Sequence, residues 1–263
     1  DMNVWGSGGA HQTYFKKIDE IILHLFNLPI EKQPKGFIDI GCGNGKFIEH
    51  IFDLIYYKTN RGKLLKKHPL FIVGSDFNQQ ALTATKKTIE KADIWAKAVF
   101  GDISNPQKIA EELLIKHKIE LSDLLNVRSF LDHNRIYENP KQKIYKKSKS
   151  SGAFCHRGKR ITSSELQQNL KEHLLRWKPY LVKYGLLIVE LHTIIPEIAS
   201  KNIGKTAITA YDASHGFSDQ YIIEYEYFLD TAKEIGLVPS KGFEYTFPSK
   251  EIPIVSINRL INA

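Results

Sequence analysis

Apolar residues alternate between two rhythms along this chain, and from Gly36 onward short apolar runs take turns with segments of helical spacing. Runs of four to eight apolar residues bounded by turn residues read as buried strands, and 3.6-residue periodicity reads as helices. The pattern predicts strand Gly36 to Ile40, helix Lys46 to Tyr57, strand Leu70 to Ser75, helix Gln79 to Lys91 and strand Ala96 to Phe100. This is a βαβαβ half of a nucleotide-binding sheet. Helix Pro106 to His117 and strand Leu124 to Phe130 follow. Next comes a capped helix from Ser163 or Ser164 with Glu165 to Trp177, then strand Leu186 to His192. An amphipathic helix Tyr221 to Ile235 ends at Gly236, before two short strands near Phe243 to Phe247 and Ile254 to Leu260. Strands alternating with helices call for a mostly parallel sheet covered on both faces.

Three stretches break the rhythm. Val4 to Ala10 is glycine-rich and reads as a lid over residues 1–35, with a helix from His11 to Asn27 carrying Tyr14, Phe15, Ile18, Ile21, Ile22, Leu25 and Phe26. Asp132 to Thr162 is irregular and basic, the expected insertion in a single core domain of residues 36–263. Thr193 to Gly216 is long for a loop in a compact fold, and such loops tend to be functional.

Composition narrows the class. The chain has 263 residues, 42% of them hydrophobic, enough for a large α/β domain. Two cysteines, Cys42 and Cys155, are too few for a disulfide framework and fit a reducing cytoplasm. No apolar run approaches the roughly 18 residues of a membrane span, and the start carries no signal-peptide pattern, so no membrane partner is expected. The net charge is +8, with basic clusters at Lys58, Arg61, Lys63, Lys66, Lys67 and at Lys141, Lys143, Lys146, Lys147, Lys149, Arg157, Lys159, Arg160. Basic clusters attract acidic partners. No RNP motif, zinc-finger spacing or aromatic interleaving accompanies them, which disfavours nucleic acid.

Chemistry enters at Phe37-Ile38-Asp39-Ile40-Gly41-Cys42-Gly43-Asn44-Gly45, a strand with an acid two residues before a GxGxG turn. Glycines there allow a tight turn and close approach of a ligand. Asp76, beside Phe77, stands where a carboxylate would accept both ribose hydroxyls. Asp102 stands where one would accept an adenine amino group, with Ile103 against the ring. A dinucleotide-binding domain would place the third glycine three residues after the second, and Gly45 comes two after Gly43. A ligand-free glycine turn is the remaining alternative.

These motifs resemble the class I S-adenosylmethionine-dependent methyltransferases, which implies a Rossmann-like seven-stranded α/β sheet with helices on both faces. Under that likeness Asp39, Gly41, Gly43, Gly45, Asp76, Phe77, Asp102, Ile103 and Arg128 would serve the donor, with Gly8, His11 and Tyr14 folding over it. Neither an Asn-Pro-Pro-Tyr nor a Pro-Cys signature of nucleic-acid methylation is present. Polar groups gather after the fourth strand, at Asp132, His133, Arg135 and Tyr137, and after the fifth, at Glu190 and His192 with His215 and Gln220. His133, Tyr137 and His192 are the candidate catalytic residues.

Trp5-Gly6-Ser7-Gly8-Gly9-Ala10-His11, Ser129-Phe130-Leu131-Asp132-His133-Asn134-Arg135 and His215-Gly216-Phe217-Ser218-Asp219-Gln220-Tyr221 together sharpen the likeness. They resemble the metal-dependent C-methyltransferase domains of polyketide synthase loading modules, including the apratoxin type. That resemblance implies a mononuclear iron or manganese held by His215 and Gln220, and methylation of the α-carbon of malonyl-type units on an acyl carrier protein beside other synthase domains. One imidazole and one amide leave coordination positions open, which suits iron or manganese better than a closed zinc site. The rival readings are an O-methyltransferase of a free small molecule, with His133 or His192 as base, and a catalytically silent donor-binding scaffold.

Overall fold

The computed structural model describes residues 11–143, 146–204 and 218–263. Its main sheet has seven strands, β1 (Gly36–Ile40), β2 (Phe71–Asp76), β3 (Lys97–Phe100), β4 (Leu124–Ser129), β7 (Leu186–Leu191), β8 (Leu237–Pro248) and β9 (Pro253–Asn262). They lie in the order β3-β2-β1-β4-β7-β9-β8. The first five strands in that order run parallel, and β9 is antiparallel to both β7 and β8. A separate hairpin, β5 (Phe154–His156) with β6 (Lys159–Ile161), sits within the stretch expected as an insertion. Connections leave β1 in one direction and enter β4 from the other, so a crevice opens at the carboxyl ends of these two neighbours.

Helices cover both faces. On one, α1 (His11–Asn27), α2 (Lys46–Lys58), the short α3 (Asn60–Lys63) and α4 (Gln79–Lys91) are found; Ile18, Ile22, Ile51 and Leu82 pack with Phe37 and Val127 in one core. The other face holds α5 (Pro106–Glu112), α6 (Ser163–Leu181) and α8 (Tyr225–Glu234), while a short α7 (Pro196–Lys201) lies in the long loop. There Leu170, Leu174, Trp177 and Phe228 pack against Ile38 and Ile188. Alternation along β1 and β4 explains both cores, because successive side chains point to opposite faces. Among the described residues no helix is long and apolar enough to cross a membrane.

Five elements differ from the sequence expectation. Tyr221 to Glu224 is extended, and the helix starts at Tyr225: the Tyr221 amide donates to the His133 carbonyl, and His192 donates to that of Ile223. Tertiary bonds there outweigh helical periodicity. The cap of α6 is Thr162, which forms a reciprocal box with Glu165. The helix expected to His117 becomes a π turn after Glu112. The last two strands are long, 12 and 10 residues, because each gains a ladder partner that composition does not reveal.

Candidate active site

The donor end is built almost entirely from backbone. Gly41, Gly43 and Gly45 all have positive φ, at +79°, +55° and +76°. A Cβ on Gly43 would meet nothing within 4 Å, so this turn faces open space, whereas one on Gly41 would press on the Leu131 side chain at 3.0 Å. Asp76, at the carboxyl end of β2, accepts the Gly43 amide at 3.0 Å through Oδ2 and the Asn78 amide at 2.8 Å through Oδ1. Both oxygens keep acceptor capacity for a ligand hydroxyl. Asp39 is buried; that burial, and then the Asp76 carboxylate, push its carboxyl up to about 7.

Asp102 is partly buried and caps the following turn through the Ser104 amide at 2.8 Å. Ile103 packs against the second core, its carbonyl taking the Trp177 indole N–H at 2.7 Å. Phe77 and Phe100 stay exposed beside them, 6.3 Å between ring centroids, an uncovered aromatic pair at the strand ends. Cys42 is buried inside the turn; burial first, then the Asp39 charge, raise its thiol to about 12, and Sγ lies 3.3 Å from Thr85 Oγ1.

The acceptor end is built from side chains. Phe130, at the end of β4, has φ +53°, a costly conformation for an aromatic residue, which its amide bond to the Val189 carbonyl helps to hold. The kink sends the chain into the turn Asp132–Asn134, where His133 Nδ1 makes a very short bond to Glu190 Oε1. Glu190 also accepts the amides of His133, at 3.1 Å, and Leu191, at 2.7 Å. An ionised carboxylate only accepts, so Nδ1 carries a proton, and in the neutral imidazole Nε2 is then the acceptor. The Asn134 side-chain amide lies 3.0 Å from Nε2. Leu131, two residues before His133, packs on Gly41 of the glycine turn.

Beneath it lies a buried ionic network. Asp132 Oδ1 pairs with Arg128 Nη1 at 2.7 Å and with His173 Nε2 at 2.9 Å. Burial opposes the Asp132 charge, yet Arg128, His173 and Arg135 outweigh it and hold the carboxyl far below its ordinary range. Arg135 bonds Asn169 and the Asp132 carbonyl, and clamps the turn to α6. A cavity with room for about one water is lined by Asp132, His133, Arg135, Glu190 and Tyr221, among others.

The sequence-predicted residues divide accordingly. Asp39, Gly41, Gly43, Gly45, Asp76, Phe77, Asp102 and Ile103 gather at the ends of β1, β2 and β3, as expected. Arg128 does not join them: it is fully buried, salt-bridged to Asp132, with its guanidinium 4.1 Å from the Trp177 ring centroid. His192 has no free ring nitrogen, since Nδ1 donates to the Ile223 carbonyl and Nε2 faces Ser256 Oγ at 2.7 Å. Burial lowers its pKa to about 4, so it is neutral at pH 7 and a weak base, held by both of these bonds. Tyr137 packs in an aromatic cluster with Phe154, Ile161, Leu166 and Tyr221.

Tyr14 lies near the kink, 6.3 Å from the Phe130 ring and 5.0 Å from that of Phe247. Gln220 is partly buried, one residue before the Tyr221 amide that bonds His133. His11 begins α1, while Gly8 and His215 lie outside the described residues. Among the described residues no group of three His, Cys, Asp or Glu side chains is arranged to hold a metal ion. Glu190 was recognisable only as one polar group among several; its role follows from the contact with His133.

This fold, with a glycine turn after β1 and an acid at or near the end of each of the first three strands, is that of a class I S-adenosylmethionine-dependent methyltransferase. The family model described as AprA MT2-like domain matches residues 1–258, and the chain belongs to that family of methyltransferases. Among solved structures, the CurJ carbon methyltransferase is similar at 11% identity and TM-score 0.50, over 94% of this chain and 53% of that one. The CMeT domain of the citrinin polyketide synthase (12%, 0.49, 89% and 48%) and LepI in complex with SAM (11%, 0.49, 92% and 46%) are also similar. The chain thus spans about half the length of these structures. A comparison with curated proteins finds no match.

Proposed function

We propose that this domain methylates the α-carbon of a malonyl-type acyl unit carried as a thioester on an acyl carrier protein, with His133 as the proton acceptor. The observation that supports this most is the His133–Glu190 dyad, two residues beyond the Leu131 that packs on the glycine turn. A carbon between two carbonyls becomes a nucleophile when it gives up a proton, and a positioned imidazole is suited to take it. His133 Nε2 would accept that proton, and Glu190 would stabilise the resulting imidazolium. S-adenosylmethionine, when bound, supplies an electrophilic methyl group: a carbon–carbon bond forms as the sulfur–carbon bond breaks, leaving S-adenosylhomocysteine. In-line transfer needs near-attack distance and exclusion of water.

Asp76 would hold the ribose and Asp102 the adenine, with Ile103 and Phe77 along the ring. The segment with Gly8, His11 and Tyr14 would close over the donor. His215 and Gln220 would hold a mononuclear iron or manganese, which when bound would polarise the acceptor carbonyls. An imidazole and an amide are a donor set such a metal accepts. The remainder of a synthase would supply the carrier.

The test is methyl transfer to malonyl-loaded carrier protein and to S-malonyl pantetheine, read by mass spectrometry, with metal content measured on the same preparation. Methylmalonyl product supports the reading. Methylation of only a hydroxyl acceptor would overturn it. Gln220→Ala is expected to lower iron or manganese content and leave donor affinity nearly unchanged; loss of donor affinity would move Gln220 to the donor site.

A further inference from the structure

The two basic clusters of the chain lie at opposite ends of the sheet. Lys58, Lys63, Lys66 and Lys67 precede β2, at the strands' amino ends, where the Arg61 guanidinium ties the loop down by bonds to the carbonyls of Lys35, His68 and Pro69. The second cluster follows β4, at the site. From Asn139 to Thr162 there are eight Lys and Arg residues and no acid.

The described residues of that segment, 139–143 and 146–162, are tied to the core by several hydrogen bonds. Ser150 and Ser151 bond Glu224, the Ser148 amide bonds Ser164, and the amides of Lys141 and Gln142 bond Glu172. In the β5–β6 hairpin, Phe154 and Ile161 are buried with Tyr137 and Tyr221, which fixes one side and leaves the tip outward. Arg157 and Gly158 have φ of +48° and +78°, the two central residues of a tight turn whose flanking strands pair His156 with Lys159. His156 Nδ1 lies 2.8 Å from the Tyr221 hydroxyl, and the Arg157 amide donates to Asp219 at 2.9 Å, one residue before Gln220. Tyr221 in turn bonds the His133 carbonyl, so the hairpin is joined to the dyad through a short chain of contacts.

Most exposed lysines with a nearby carboxylate use it, as in the pairs Lys17–Glu20, Lys46–Glu49, Lys116–Glu112 and Lys146–Glu234. Lys147, Lys149, Arg157, Lys159 and Arg160 are exposed, and none has a recorded ion pair among the described residues. Five clustered cations repel one another, and an acidic partner relieves that repulsion while being steered to the site.

We propose that the hairpin tip, with Lys147 and Lys149, is the docking surface for an acidic protein face, that of the carrier presenting the acceptor. This rests on the function proposed above, since it takes the carrier as the bearer of the acyl unit. The first cluster is too far around the fold to serve, because it opens at the other end of the strands.

The experiment compares wild type with the triple variant Arg157→Glu, Lys159→Glu, Arg160→Glu, and separately with Lys147→Glu, Lys149→Glu. Two substrates are used, malonyl-loaded carrier protein and S-malonyl pantetheine, and binding of the carrier is measured by titration without turnover. Expected is a rise of at least about tenfold in KM for the carrier, with weaker carrier binding and a loss of its salt dependence. KM for the pantetheine thioester stays unchanged. Equal effects on both substrates, or none, would overturn the docking surface, as would tighter binding of a single-stranded oligonucleotide than of the carrier. Carrier binding that both variants abolish, with neither substrate methylated by wild type, would uphold the surface and sink the proposed reaction.

Discussion

The two ends of the site are made of different materials. At the ends of β1 to β3 the donor turn offers backbone amides, three glycines and carboxylates, each within a few residues of its strand. At the ends of β4 and β7 the acceptor side depends on side chains brought together from far apart: His133 and Glu190 are 57 residues apart, His173 and Asp132 41. The first arrangement constrains a ligand that never changes. The second rests on side-chain contacts that tie the turn after β4 to β7 and α6.

If the two ends are separable, variants at one should leave the other intact. The largest effect is expected at the acceptor end: His133→Ala should lower kcat by about 10²–10⁴-fold, with donor affinity by titration unchanged. A parallel loss of donor binding would break the separation. At the donor end, Asp76→Ala would remove the proposed charge-assisted ribose contact, worth about 1.5–3 kcal/mol, so donor Kd should rise while the His133–Glu190 dyad persists. Unchanged Kd would refute the placement of Asp76.

The smallest effect concerns pH. Asp39, ordinarily at 3.8, is raised to about 7 in the fold, first by burial and then by Asp76. A carboxyl raised on folding adds stability at low pH that is lost as pH climbs through the folded value. Melting temperature of the donor-free protein should therefore decline between about pH 4 and 7 in this component, and Asp39→Asn should flatten the decline. Identical pH profiles for wild type and variant would show that Asp39 is better solvated than its burial implies.

The donor end was legible in the sequence because its information is local: an acid, three glycines and two further acids each follow a recognisable apolar run. The acceptor end was legible only in part. His133 could be named from its position after β4, but Glu190 could be given a role only once β7 was known to lie beside β4 in register, with Ser129 opposite Val189. Arg128 and His192 misled for one reason: at a strand end, the sequence does not tell whether a polar side chain faces a ligand or a buried counter-ion. Asp132 and Ser256 claim them. The start of α8 was hidden likewise, since only tertiary contacts keep Tyr221 to Glu224 extended.

The contrast between the two cysteines has a practical side. Cys42, with its thiol raised to about 12 and enclosed within the donor turn, is almost wholly in the unreactive protonated form at neutral pH. Cys155, partly exposed on β5, is the chain's other thiol. A maleimide fluorophore added to the native protein would therefore attach at a single address without any engineered residue, a few residues from the Arg157 tip, and its emission would report what approaches that hairpin.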